Sequence, residues 1–501
     1  MEKLTEVMEK ISKAVWGIPL IVLILFVGIL LTIRLKGLQI TKLGKSIKYS
    51  VKNESGGVGE VSSFGALCIS LSATIGTGSI VGVATAIATG GPGSLFWMIL
   101  AAIFGMATKY AEGFLAIRYR KIRDDGTTIG GPYAYIEYGM GKKWKWLAKA
   151  FSIFALVAGL MGIGTLTQIS GITSAIENVF LTETSTTFNV FGNKVSLIAI
   201  IAGLVVTICT ALVIIGGIKR IESVCTVIVP VMAISYILIC LLLLICNITE
   251  IPSACLEIVK CAFNTKAIAG GFTGTIIVVI QVGIARGIFS NESGLGSVPI
   301  ASSTAQTKDP VRQGLVAMTS TFYTIIICIM TGLAIVVTKT WLPETGNEGV
   351  IITTKAFEQG LPFPEIVSSC LLMIAMVFFA FTTIVGWNVY GVRCLEYLSN
   401  NNKVLTIIYK WLWVLAVFIG PYLSIKIIWT TADIFNAFMA IPNLIALILL
   451  SNRVAKETNL YFKEGLEALY LEEKKDDNLC WCWQYHNLFW IIWPRQINWY
   501  I

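Results

Sequence analysis

The residue pattern with the most chemical content is Gly76-Thr77-Gly78-Ser79, inside the apolar stretch Ser70–Gly90 (SLSATIGTGSIVGVATAIATG). That stretch is long enough to cross a bilayer. Glycine inside a helix costs about 1 kcal/mol relative to alanine. In hydrocarbon an unpaired backbone group costs several kcal/mol more. A chain that unwinds there must point its freed N–H and C=O groups at something polar. N–H groups at the start of one half-helix favour a carboxylate. Carbonyls at the end of the other favour an ammonium or a metal cation. A zwitterionic amino acid would use both ends. The amides near Thr77, Gly78 and Ser79 are the candidate carboxylate donors, and the carbonyls around Ser72 to Ile75 the candidate acceptors.

Other polar groups at membrane depth are few. Ala269-Gly270-Gly271-Phe272-Thr273-Gly274 is a second glycine-rich interruption, and its carbonyls from Gly270 to Phe272 could face an amine or an ion. Thr382 and Thr383 adjoin a run of aromatics. They could present two hydroxyls to sodium, which takes about five or six oxygens and is held without buried net charge by hydroxyls and carbonyls. Taken alone, the pair is more simply read as bonding back to its own helix. Gln168 could touch substrate or bond across helices. Lys109 and Glu112 stand three apart and can pair on one helix face. Arg286 and Glu292 flank the lower end of their span; both pairs read as gate or structural salt bridges near the cytoplasmic ends. The single histidine, His486, lies in the tail, which argues against a histidine-based site in the membrane. The 12 cysteines are scattered, several within apolar runs, and read as small core residues, not a disulfide framework. No nucleophile–base pair, metal cluster or nucleotide loop supports an enzyme.

The elements that must position these residues follow from hydropathy. The 501 residues are 55% hydrophobic and 13% charged, against about 25% charged in a soluble domain. An all-α integral membrane protein is expected. About eleven spans are read: 15–35, 61–89, 93–116, 147–177, 195–216, 223–246, 268–291, 314–338, 364–395, 404–422 and 427–450. The net charge of +9 is spread over loops, which fits the positive-inside rule better than nucleic-acid binding. Lys and Arg crowd the loops after the first, third, fifth, seventh, ninth and eleventh spans. The N-terminus is therefore expected outside and the C-terminus in the cytoplasm. Without the first span, two sets of five remain, and an odd number inverts the second set. The layout is a five-plus-five inverted repeat with discontinuous helices and one extra N-terminal helix. The expected divisions are 1–60, a helix and cytoplasmic loop; 61–246, the first repeat; 265–450, the second; and 451–501, a cytoplasmic tail.

SATIGTGSIVGVATAIATGGPG, FWMILAAIFGMATKYAE, GIARGIFSNESGLGSVPIA, DPVRQGLVAM and FAFTTIVGWNVYGVRCLEY together resemble the alanine or glycine:cation symporters of bacteria and archaea. The resemblance runs from about residue 15 to 460. It implies a fold of the leucine-transporter type and sodium-coupled import of alanine and glycine across the cell membrane. It also implies roles. The Thr77 and Gly78 amides would bind the carboxylate, and Phe272 would cover the substrate, within a substrate set of Thr77, Gly78, Ser79, Gln168, Gly271, Phe272 and Thr273. The Ser72, Ile75 and Phe379 carbonyls with the Thr382 and Thr383 hydroxyls would hold sodium. Ser79 stands where some related transporters have Asn, which argues against a second sodium site. No cofactor beyond the co-transported Na+ and no nucleic acid is implied, and a monomer is expected. A proton-coupled or ion-independent exchanger of small neutral amino acids is the alternative. The Trp-rich end, residues 478–501, resembles nothing in the family and carries no expected role.

Overall fold

The computed structural model describes residues 2–54, 57–181, 186–190, 193–263, 267–269, 272–274, 276–342, 349–423 and 425–466. The Trp-rich end lies outside them. The chain divides into two compact units, Met1–Ser451 and Asn452–Ile501. The principal helices are α1 (Glu2–Val15), α2 (Ile18–Arg34), α3 (Ser63–Thr74), α4 (Val81–Gly90), α5 (Gly93–Arg118), α6 (Lys145–Met161), α7 (Leu166–Phe180) and α8 (Leu197–Ile214). They continue as α9 (Gly217–Cys246), α10 (Ile276–Asn291), α11 (Val298–Ser302), α12 (Pro310–Thr338), α13 (Glu365–Leu398), α14 (Lys403–Ile419) and α15 (Ile425–Glu464). Among the described residues, eight helices are long and apolar enough to cross a bilayer, α6 and α7 forming one such span. The pair α3 and α4 makes a ninth, bent by 61°, and α2 and α10 are shorter apolar helices.

Helices dominate because a spanning segment in lipid must satisfy its own backbone groups. Their starts carry side-chain caps: Ser62 accepts from Gly65 N, Ser196 from Ala199 N, and Asp309 from Arg312 N with Pro310 in the first turn. Burial sorts the helices into two classes. Every residue of α3 but Phe64 is buried. Helix α8 instead exposes Ile201, Leu204, Val205, Ile208 and Leu212, a face fit for lipid. The inner class holds the polar residues of the site. Helices α5 and α12 pack along each other, and α13 touches α3, α7 and α9.

One element departs from the sequence reading. The glycine-rich stretch before α10 is not an interruption within a helix. Ala267–Ala269 and Phe272–Gly274 pair as a short antiparallel hairpin ahead of the helix. Glycine-rich sequence among β-prone residues is as compatible with a hairpin as with a helix break. The interruption of this span lies instead at Glu292–Ser297, between α10 and α11. There Gly294 and Gly296 adopt φ of 87° and 80°, open to glycine at little cost, and Glu292 itself has φ of 54°.

Candidate functional site

The first break is a short, fully buried irregular segment. Ile75 N–H still donates to Leu71 O, closing α3. Gly76 is extended (φ −125°, ψ −157°), Thr77–Ser79 form one 3-10 turn, and α4 then resumes. The carbonyls at the end of α3 find their partner across the fold. Thr383 Oγ1, on α13, lies 2.8 Å from Ser72 O, 3.5 Å from Ile75 O and 2.9 Å from Phe379 O. A hydroxyl carries one proton and can fully satisfy one of these three acceptors. Four oxygens thus converge with too few donors among them, the electrostatic pattern that draws a cation. The approach depends on glycine: a Cβ on Gly386 would lie 2.3 Å from Ser72 Oγ, and one on Gly76 would lie 2.5 Å from Thr383 Oγ1. Thr382 is placed differently. Its hydroxyl bonds back to Phe378 O at 2.9 Å and Phe379 O at 3.0 Å, and lies 3.5 Å from Met232 Sδ.

The expected substrate residues fall into three groups. Thr77, Gly78 and Gln168 come together. Thr77 N–H donates to Gln168 Oε1 at 3.2 Å, and Gln168 Nε2 donates to Ile163 O at 2.9 Å. Thr77 Oγ1 is buried without a hydrogen-bond partner. Gly78 lies against Phe289 and Ser290, where an added Cβ would come within 3.2 Å of both. Ser79 is drawn into a separate chain of hydroxyls. Its Oγ lies 3.0 Å from Ser290 Oγ, which lies 3.2 Å from Cys328 Sγ. Its carbonyl accepts from Thr331 Oγ1 at 3.0 Å, and Thr331 lies 2.8 Å from Tyr236 OH. The backbones of Phe272 and Thr273 sit in the hairpin, apart from the unwound segment between α10 and α11. Gly271 lies outside the described residues.

The second break has its own polar lining, which the sequence reading attached to the end of a span. Glu292 Oε1 accepts from Trp387 Nε1 at 2.8 Å and Oε2 from Ser297 Oγ at 2.5 Å. Asn443 Nδ2 donates to Glu112 Oε1 at 2.7 Å and to Gly294 O at 3.0 Å. The legible signal was Asn291-Glu292-Ser293 followed by two glycines, too polar a run for the plain end of an apolar helix. Lys109 and Glu112 pair as expected, with Nζ 3.8 Å from Oε2. Arg286 does not share the Glu292 environment near one end. It stacks over Trp429 at 5.6 Å and lines a cavity of about 230 Å³ with Thr85, Thr89, Gln281 and Asp433, beside α4. It stands six residues before Glu292, inside α10, whereas Glu292 lies just past the end of that helix.

The family model described as the sodium:alanine symporter family matches residues 1–475. The chain is 41% identical to the sodium/alanine symporter AgcS of Methanococcus maripaludis, covering 90% of this chain and 96% of that one. It is 36% identical to the amino-acid carrier protein AlsT of Bacillus subtilis, covering 88% and 90%. Among solved structures it is similar to MhsT in complex with L-phenylalanine, with a TM-score of 0.52 and 14% identity over 84% of this chain and 93% of that one. That likeness shows the leucine-transporter type of fold. With its apolar helices, the match makes this a multi-pass membrane protein of a transporter family, not an enzyme. The chain belongs to the sodium:alanine symporter family.

Proposed function

We propose that the protein is a sodium-coupled symporter that imports alanine and glycine by alternating access. The observation that carries this reading is the convergence of the Ser72, Ile75 and Phe379 carbonyls on the Thr383 hydroxyl. These four oxygens, with Thr382 Oγ1 added by a rotation away from its own helix, make a five-oxygen sodium site without buried net charge. The adjacent turn supplies the substrate's anionic end. Gln168 Oε1 stands where a carboxylate oxygen would stand, accepting from Thr77 N–H. A substrate carboxylate takes that acceptor position, with Gly78 N–H and the unpartnered Thr77 hydroxyl as further donors, and Gln168 turns its amide toward it. Thr77, Gly78 and Gln168 form the substrate core of the proposal. Ser79 supports the turn through Ser290, and Gly271, Phe272 and Thr273 remain in it only as a cover brought in on closure.

Sodium and amino acid then share one unwound segment. Filling the cation site fixes α3 against α13, and the ordered break presents its amides to the second ligand. Binding of each favours binding of the other, and the coupling is reciprocal. The reading places the protein in the cell membrane as a monomer. Purified protein in liposomes tests it directly. An inward sodium gradient should drive alanine uptake several-fold above that seen with potassium in place of sodium. Uptake indifferent to the sodium gradient overturns the coupling. Uptake that follows an imposed proton gradient instead supports a proton-coupled carrier.

A further inference from the structure

The stretch Lys142-Lys143-Trp144-Lys145-Trp146-Leu147-Ala148-Lys149 takes no part in the proposed transport site. It forms a short 3-10 turn, Lys142–Trp144, and the first turns of α6. Four cations and two indoles thus stand where an apolar helix begins. Helix α14 starts on the same side. Tyr409 OH donates to Leu156 O at 3.1 Å, and Trp413, one turn further along α14, packs against Gly159 of α6. The two helices therefore run side by side in one direction, and Lys403, at the start of α14, joins the basic rim. Lys145 pairs with Glu137 at 3.1 Å. Lys142, Lys143, Lys149 and Lys403 are exposed and make no ion pair among the described residues. Burial pushes the nearby Lys121 ammonium down to about 8; Glu137 opposes that shift, while Lys142 and Lys145 add to it. Cations therefore crowd around a single acid.

The aromatic and apolar residues say what the counter-charge is attached to. Trp144 and Trp146 stack with centroids 6.5 Å apart, and Trp146 is 63% exposed. On α14, Trp411 is 57% exposed. Beyond them Ile153 of α6 and Ile408 and Leu412 of α14 are exposed as well. Trp146, Lys149 and Ile153 stand at i, i+3 and i+7, on one face of α6. An indole at headgroup level, an ammonium beside it and an aliphatic surface beneath match a phospholipid from its polar end to its chains. A free phosphate could use the lysines but not the apolar seam; a lipid uses both. We infer that this rim selects an anionic phospholipid, with its phosphate among the unpaired lysines, Trp146 beside its glycerol and its chains along α6 and α14. Each lysine near an anionic headgroup contributes roughly fivefold, so two engaged lysines suffice for a preference of about tenfold or more.

The test needs neither sodium nor alanine, so its failure is distinct from failure of the transport reading. The purified full chain in detergent is offered equimolar phosphatidylglycerol and phosphatidylcholine with identical acyl chains, and bound lipids are counted by native mass spectrometry. The first lipid retained by the wild type should be phosphatidylglycerol in about tenfold excess. Combining Lys142→Gln, Lys143→Gln, Lys149→Gln and Lys403→Gln should cut the excess to about twofold or less. The control combines Lys36→Gln, Lys48→Gln, Lys52→Gln and Lys219→Gln, which removes as many exposed cations elsewhere and should leave the preference intact. No preference in the wild type overturns the proposal. An equal loss in both variants does so too, because net charge alone would then explain the binding. Displacement of the lipid by inorganic phosphate at equal concentration would make this a site for a soluble anion, and would also overturn it.

Discussion

At the residue scale the two threonines of α13 are chemically alike and structurally distinct. Thr383 bridges from its own helix to the end of α3, whereas Thr382 bonds within α13. Under the proposed sodium site, Thr383→Ala removes the one oxygen that touches all three carbonyls. The sodium concentration for half-maximal uptake should rise about tenfold, equivalent to about 1.4 kcal/mol. Thr382→Ala should raise it by a smaller factor, because the Thr382 hydroxyl must first give up its helix bonds to join. Maximal alanine binding at saturating sodium should persist in both. Sodium titrations of uptake check the order; a larger effect at Thr382 rejects this assignment of roles. Tandem threonines do not reveal from sequence which of the two turns across the fold. That choice depends on the angle at which α13 passes α3, set where Gly386 lets Ser72 come close. The convergence of Thr77 with Gln168 was half legible: sequence shows a polar residue at membrane depth but not its partner.

At the element scale the first break was legible because no stable helix is written as Ile-Gly-Thr-Gly-Ser in the middle of a span. The second was misplaced because glycine pairs mark hairpins and breaks alike, and only tertiary packing decides between them. The true second break is tied to the first at one end. Val61 pairs in parallel with Ala305, Glu60 N and Val61 N donate to Thr304 O, and Gln306 N donates to Val61 O. Arg393 closes the same end, bonding Glu60 and Glu396. Its side chain and that of Glu60 are 7% and 10% exposed, so this pair is largely desolvated. Removing one partner of such a pair costs about 3 kcal/mol or more, because the other charge is left buried. Arg393→Ala should therefore lower thermal stability strongly. Arg393→Ala with Glu60→Gln should recover part of the loss, since the orphaned carboxylate is gone. A double-mutant cycle on melting in detergent measures the coupling. Strictly additive losses would show that the ion pair does not hold α13 to the start of the first broken helix.

At the scale of the whole molecule, orientation decides which end of the broken helices meets the outside. The loop between α5 and α6 carries Arg120, Lys121, Arg123, Lys142 and Lys143, flanked by Arg118 and Lys145 at the helix ends, while the segment between α7 and α8 carries Lys194 alone. Loops of this length are held on the cytoplasmic side by their Lys and Arg, largely regardless of acidic neighbours. Several of these cations also serve the structure. Arg120 donates to the carbonyls of Val58, Ser303, Ala305 and Thr307, and so clamps the tied ends of both broken helices. If the basic loop is cytoplasmic, this clamped end is the inner gate and the cavity beside Arg286 and Asp433 opens to the outside. Reporter fusions give the check. Fluorescent protein joined after Lys143 should fluoresce and alkaline phosphatase there should be silent, with the opposite pair of results after Asn189. Reversed signals would turn the molecule over, making the Arg120 clamp the outer gate and sending the sodium-driven cycle outward.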